Sequence, residues 1–426
     1  MHTSLMSQPI LIEPGTRFTC VPCGFCCGFW DIEIDQARRE ALNAKDWVHE
    51  KAERLPELKG QGLFRIIGQG EVALLQRQSG SCTFMDEQML CSIHATEGLE
   101  AKPSVCQQYP NIYYKTPRGI ELQLDYSCPE VIKNYGELLT AEGIRKTLPS
   151  EYVQVVEQRL PLNSQCTVDW EEYLQLEALY SEVLARDASH DRKILVLHQL
   201  TQAIANALAS QGDARRVKEL LAPFQGSRLD ALLDQVRSSP KSEGKRDLYL
   251  AILVQLVESS FSREVRGQAF SAGQVVQRVL KQWKAAGTAD LKVFKITFDY
   301  ARAKGVQFNL IGAEVQEPVD RYLKYLVKSL VGTGSVPIQK RIAIMAADFA
   351  LLKWFSCASA ASRGQNEVGL EDIVFGIKVV EKFLSNRLFN KLEKEKGLLA
   401  RYVGKLFDNP TLPATMLSVD SAAARS

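Results

Sequence analysis

Residues 20–35 read "CVPCGFCCGFWDIEID", with four cysteines inside eight positions. Cys20, Cys23 and Cys26 form two overlapping C-x-x-C pairs. Two intervening residues let a chain fold back so that both sulfurs reach one ion, at about 2.3 Å each for zinc. Iron–sulfur clusters are held by the same short thiolate loops. Cys27 is a different case. Adjacent side chains diverge, most strongly in extended chain. Cys26 and Cys27 are therefore expected to serve different metal atoms, or one of them none.

Working outward, eight of the ten cysteines lie at or before position 128: Cys20, Cys23, Cys26, Cys27, Cys82, Cys91, Cys106 and Cys128. Cys166 and Cys357 stand in apolar helical contexts and read as core residues. The chain has 426 residues, 46% of them hydrophobic, enough for a sizeable core. The cluster is thus not the frame of a disulfide mini-protein. The start, "MHTSLMSQPILIEPGTRF", has neither a basic leader nor a long apolar stretch. The expectation is a cytoplasmic protein with reduced thiols, in which clustered cysteines mean metal.

The later cysteines fall in "CTFMDEQMLCSIH", "CQQYP" and "SCPE". Cys82 and Cys91 fit the two ends of a tight loop. Pro110 and Pro129 stiffen the chain beside Cys106 and Cys128. Eight thiols could fill two four-ligand sites, or one with spares, and spacing leaves both open. Buried free cysteines are the plain alternative. A thioredoxin-like role for "CVPC" is disfavoured because no βαβ pattern surrounds it. His94, three residues after Cys91, reads as a hydrogen-bonded structural histidine before a ligand.

The fold class expected is mainly α: a small irregular α+β cysteine-rich metal-binding N-terminal domain, then a larger all-α helical domain. The boundaries are 1–140 for the cysteine domain, 141–407 for the helical domain and 408–426 for a disordered tail. "GLFRIIGQGEVALLQ" reads as a hairpin around Gly68 and Gly70. "RGIELQLDYSC" alternates as a half-buried strand does. Asp35 is placed to cap a following helix. "DWEEYLQLEALYSEVLARD", "DRKILVLHQLTQAIANALASQG", "RDLYLAILVQLVESSF", "VDRYLKYLVKSLVG", "KRIAIMAADFALLKWF" and "LEDIVFGIKVVEKFLSNRLFNKL" carry helical periodicity. Gly212 reads as a helix stop. No run approaches a membrane span in apolar length. No fixed repeat supports a solenoid.

Lys plus Arg is 52 and Asp plus Glu is 50, a net charge of +2. That balance excludes no local patch, but argues against nucleic acid or an anionic membrane as the main partner. A protein substrate or protein partner is expected instead.

With these residues in view, "CVPCGFCC" and the later cysteines resemble the CxxCxxCC family of zinc- or iron-chelating cysteine-cluster proteins. Within it, "RFTCVPCGFCCGFWDIEID", "CSIH", "CQQYP" and "LQLDYSCPEV" look closest to the flagellin lysine-N-methylase family. The resemblance covers roughly the first third of the chain. It implies a four-iron four-sulfur (4Fe-4S) cluster, or zinc in the plain chelating members. It also implies S-adenosylmethionine as methyl donor and flagellin as substrate.

Methyl transfer sets its own demands. Lysine attacks a sulfonium methyl only as the neutral amine, and its ordinary pKa is about 10.4. The site must desolvate it or supply a base. A sulfonium favours aromatic faces and carboxylates. Tyr109, Tyr113, Tyr114, Asp125 and Tyr126 lie beside the ligand cysteines in sequence. They read either as a reaction pocket or, more simply, as tyrosines packing the small domain. No glycine-rich turn follows a first strand, and "VGTGS" at 331–335 reads as a helix stop. The C-x3-C-x2-C spacing of iron–sulfur radical enzymes is absent. A protein-sized substrate would suit a groove between the cysteine domain and the helices. Two readings stand side by side: an iron–sulfur-dependent protein lysine methyltransferase, and a non-catalytic metal-stabilised binding module. A zinc-dependent nucleic-acid binder is the weakest.

Overall fold

The computed structural model describes residues 7–28, 32–45, 63–67, 72–75, 77–78, 81–148, 153–211, 217–236, 243–266, 271–291, 296–332, 334, 336–382 and 405–417. The chain begins with β1 (Ile10–Ile12), β2 (Glu33–Ile34) and α1 (Gln36–Asn43). Asp35 caps α1 by accepting from the Arg38 N–H at 2.9 Å, as its residue type dictates. β3 (Phe64–Ile67) and β4 (Val72–Leu75) pair antiparallel, and β2 joins the other edge of β4. The expected hairpin is present; its connection lies outside the described residues. β5 (Arg77–Gln78) and β6 (Ser81–Cys82) form a second small ladder. The short helices α2 (Ser92–Glu97) and α3 (Ser104–Gln108) follow.

β7 (Asn111–Thr116) and β8 (Gly119–Leu124) form the main hairpin. β1 adds to β8 in parallel, and β9 (Val153–Val155) adds to β7 in parallel, giving the order β1-β8-β7-β9. Between them run α4 (Pro129–Lys133) and α5 (Ala141–Thr147). All six residues of β8 are buried. This corrects the half-buried strand expected from its alternation. Glu121 is masked by Arg118 at 2.7 Å, and Gln123 donates to the Lys328 carbonyl at 2.8 Å. Partnered polar groups can face a packed interior.

The helical part opens with the hairpin β10 (Arg159–Pro161) and β11 (Thr167–Asp169), then α6 (Trp170–Ala185). Asp169 and Glu172 form a reciprocal capping box at 2.9 and 3.0 Å. α7 (His190–Gln211), α8 (Val217–Leu221), α9 (Ser227–Gln235), α10 (Glu243–Arg266) and α11 (Ala272–Trp283) succeed it. Gly212 lies outside the described residues. A hairpin of β12 (Thr288–Leu291) and β13 (Ile296–Asp299) leads to α12 (Tyr300–Gly305), α13 (Ala313–Lys328), α14 (Ile338–Ser362) and α15 (Leu370–Val380). A short turn after α13 ends at Gly332, where "VGTGS" begins to break the helix.

α14 is the centre of the molecule. It is the one described helix long and apolar enough to cross a membrane, which the sequence reading did not foresee. In the fold, 83% of that apolar stretch is buried by other elements. Its apolar character is that of a helix surrounded on all sides. Gly376 of α15 lets the two helices touch: a Cβ there would meet Ser356 Oγ at 2.3 Å and the Leu352 carbonyl at 2.7 Å.

The tail is also corrected. Residues 412–416 form α16, with Leu412, Met416 and Leu417 buried in the main core. Three apolar side chains suffice to dock a segment that shows no periodicity. Residues 418–426 lie outside the described set.

Two apolar cores result. The large one runs from Ile10 through the four-stranded sheet into the helices and ends at Leu417. The small one is built from Ile32, Ile34, Leu42, Leu75, Phe84 and Ile93, with Cys82 among them. Tyr109 packs against both.

Candidate metal centre

The segment that carries the first cysteines is fixed on both sides. Upstream, residues 16–19 are zipped to 134–139: Phe18 donates to the Glu137 carbonyl and Thr19 to the Tyr135 carbonyl, each at 2.9 Å. Gly136 makes this approach feasible. Its φ is +103°, and a Cβ would lie 2.2 Å from Thr19 Oγ1. The zipper brings Cys20 beside α4, whose N-cap is Cys128 and whose first residue is Pro129. Downstream, Gly24 at φ +68° starts a single tight turn, Phe25–Cys27. Gly28 then bridges to Ser81, which sets Cys27 near Cys82.

The later cysteines sit on equally short devices. Cys82 ends β6, and its carbonyl accepts from Met85 at 3.0 Å. Met85 bridges back to Cys91, closing the loop expected between the two thiols. Cys91 is the N-cap of α2, and Cys106 lies on α3. Cys128 takes backbone N–H groups of Val131 and Glu130 onto its sulfur.

All eight cysteines line one cavity of about 180 Å³. Phe18, Phe84, Ile93 and Val105 supply much of its apolar wall, and His94, Lys102 and Tyr109 reach it too. Cys82 and Cys128 are buried, Cys20 and Cys23 are exposed at the edge, and the other four are intermediate. Among the described residues, no three His, Cys, Asp or Glu side chains are gathered into a ligand-spaced group. The thiols surround the space without closing on a point.

Cys26 and Cys27 do not diverge as expected. Their sulfurs are 4.0 Å apart, because the tight turn swings both side chains to one side. Two thiolates on one tetrahedral zinc, with bonds of about 2.3 Å, stand about 3.8 Å apart. The pair therefore has the spacing of two ligands to a single ion. Soft sulfur donors in this number fit zinc or iron.

The electrostatics distinguish the thiols. Cys26 is pulled below the usual thiol value by the hydrogen bond from Cys27, helped by the cations Lys102 and Lys382. Cys27 is raised by the same hydrogen bond and by burial. Burial raises Cys106, and raises Cys128 to about 12. Burial, then the neighbouring Cys26 and Cys23, raises Cys20. Crowded thiols resist ionising together unless a cation joins them.

Two lysines from the far end of the chain complete the surroundings. Lys382 is 4% exposed. Its Nζ donates to the Gly28 carbonyl at 2.9 Å and lies 4.4 Å from the Phe25 ring centre. Lys378 stands 5.0 Å from the same ring. Neither was visible as a site residue in the sequence. Lys102, which lies just ahead of α3, was not singled out either.

The tyrosine and aspartate candidates separate. Only Tyr109 lines the thiol cavity, with its hydroxyl 3.2 Å from Ser127 Oγ. Tyr113 and Tyr114 are buried in the large core. Tyr126 stacks on Tyr325 at 4.6 Å and lines a different cavity. Asp125 accepts from the Ser127 N–H at 2.8 Å, a local turn contact. Cys166 and Cys357 pack against the large core, as expected.

Comparison with known proteins bears on this region. Residues 19–129 match the CxxCxxCC family, described as "Putative zinc- or iron-chelating domain". Over 144 residues the chain is 25% identical to the lysine-N-methylase of Salmonella typhimurium, covering 30% of this chain and 32% of that protein. It is also 25% identical over 144 residues to the flagellar biosynthetic protein FliU of Salmonella muenchen, covering 76% of it. The lysine-N-methylase of Salmonella choleraesuis is 24% identical, again with 32% covered. The match spans about a third of the two methylases. No solved structure matches. The resemblance read from the cysteine motifs thus holds for the front of the chain.

Proposed function

We propose that residues 19–129 bind zinc or iron through cysteine thiolates. The observation that carries this is the convergence of eight thiols, spread over more than a hundred residues, on one cavity. A buried apolar wall would not otherwise gather so many ionisable sulfurs; packing alone asks only for volume.

The finer reading is an iron–sulfur-dependent protein lysine methyltransferase that uses S-adenosylmethionine, with a flagellin-like protein as substrate. The names of the relatives support it, as does the cavity's apolar lining. A lysine amine entering such a wall is desolvated, which favours its neutral, nucleophilic form. Tyr109 is the one tyrosine of the expected set that borders the space. A specific observation favours the second reading, a zinc- or iron-chelating module without catalysis. The 4.0 Å Cys26–Cys27 separation suits one ion rather than ligands spread over several.

Anaerobic purification with iron, zinc and sulfide analysis tests these readings. Iron and sulfide in near-equal amounts support the cluster. Stoichiometric zinc without sulfide supports the module. A protein free of both metals after expression in metal-supplemented medium would contradict the proposal. With metal present, transfer of labelled methyl from S-adenosylmethionine to lysines of flagellin then decides for or against the enzyme.

A further inference from the structure

α4 has a cavity on each side. Pro129 and Glu130 line the thiol cavity, whereas Val131 lines a second one of about 290 Å³. The second cavity is bounded by β8, by α13 and by residues 11–16. Arg118, Arg321, Lys324 and Lys328 line it against two carboxylates, Glu13 and Glu121.

Part of that positive charge is already matched. Arg118 pairs with Glu121 at 2.7 Å, and Lys328 with Glu177 at 2.5 Å. Arg321 reaches outward to the exposed Glu317 at 3.1 Å and caps the Ile132 carbonyl at 3.0 Å. Its Nε is buried without a partner. Lys324 makes no ion pair among the described residues. Beside Lys328, Gln123 is 8% exposed. Its amide nitrogen is held by the Lys328 carbonyl, and its Oε1 is buried without a hydrogen-bond partner.

Buried polar atoms are ordinarily partnered. Here three residues that line one cavity carry an unmatched donor, an unmatched acceptor and an unpaired cation. Its size lies at the small end of small-molecule sites. We propose that this cavity binds a small anion, a carboxylate or a phosphate, that also carries an N–H or O–H donor. Its anionic oxygen meets Lys324 and Arg321 Nε. Its donor meets Gln123 Oε1. Any apolar part lies on Leu122, Leu124 and Tyr126. The site is independent of the metal reading, since none of its residues is a thiol.

Calorimetric titration of the purified full chain tests this, with inorganic phosphate and L-glutamate as probes at constant ionic strength. Saturable binding of at least one probe is expected, and which one binds separates phosphate from carboxylate. Lys324→Gln, at an exposed position that should not disturb folding, should weaken binding about tenfold or more, the usual worth of a charge-assisted hydrogen bond. Lys324→Arg should retain most of it. No saturable binding of either probe up to about 10 mM, the weak limit of useful affinity, overturns the proposal. So does binding unchanged in Lys324→Gln.

Discussion

Lys382 donates from Nζ to the carbonyl of Gly28 at 2.9 Å, across 354 positions of sequence. The bond ties the end of the helical region to the loop that carries four of the cysteines. It also holds a positive charge against the Phe25 ring and near Cys26.

Lys382→Met keeps the aliphatic stem but leaves the Gly28 carbonyl unsatisfied. The expected loss of stability is about 1–3 kcal/mol, read from urea denaturation. Metal should also be lost to a competing chelator more readily. An unchanged midpoint would show that this contact contributes nothing.

Gly136→Ala should be more damaging than its size suggests. The new Cβ would collide with Thr19 and would sit at φ +103°. A loss above about 2 kcal/mol is expected, with lower metal content, because the zipper that delivers Cys20 is pushed apart. Gly15→Ala is the control. At φ +79° with nothing within 4 Å, it should cost only about 1–2 kcal/mol through backbone strain and keep its metal. Equal effects in the two variants would refute the steric argument.

Individual cysteines should not be equivalent. Cys26→Ser should lower bound metal sharply, since the Cys26 and Cys27 sulfurs stand 4.0 Å apart, the spacing of two ligands to one ion. Cys166→Ser should leave it unchanged, because Cys166 donates to Asn163 Oδ1 at 3.1 Å and does not line the cavity. Metal analysis of both proteins checks this; loss in Cys166→Ser would point to a different ligand set.

Acid should weaken the fold through His198. Burial lowers its pKa to about 4, against an ordinary 6.5. The unfolded chain therefore binds the extra proton first as pH falls. Stability from this group is complete above about pH 6.5, declines down to about pH 4, and loses about 3 kcal/mol in all. His198→Leu should flatten that part of the stability–pH curve. A slope identical to the parent protein would exclude the histidine as its source.

Much of the fold was legible from local pattern. The β3–β4 hairpin, the Asp35 cap and the long helices follow from periodicity and capping chemistry, which act within a few residues. β8 was misread because Glu121 and Gln123 mimic a wet face, and only tertiary partners reveal that they are buried. The docking of 412–417 was hidden for a similar reason, since three apolar residues carry no period. At the site, the cysteines were legible because their number has little other explanation. The nearness of Cys26 to Cys27 depends on one tight turn, and Lys382 on a contact made only after folding. Neither leaves a mark in the local sequence.

The central claim is that sulfur from this cavity binds metal. X-ray absorption at the zinc or iron edge of the purified full chain tests it most directly. The expected result is a first shell dominated by sulfur, at about 2.3 Å if the metal is zinc. A shell of nitrogen and oxygen alone would contradict it.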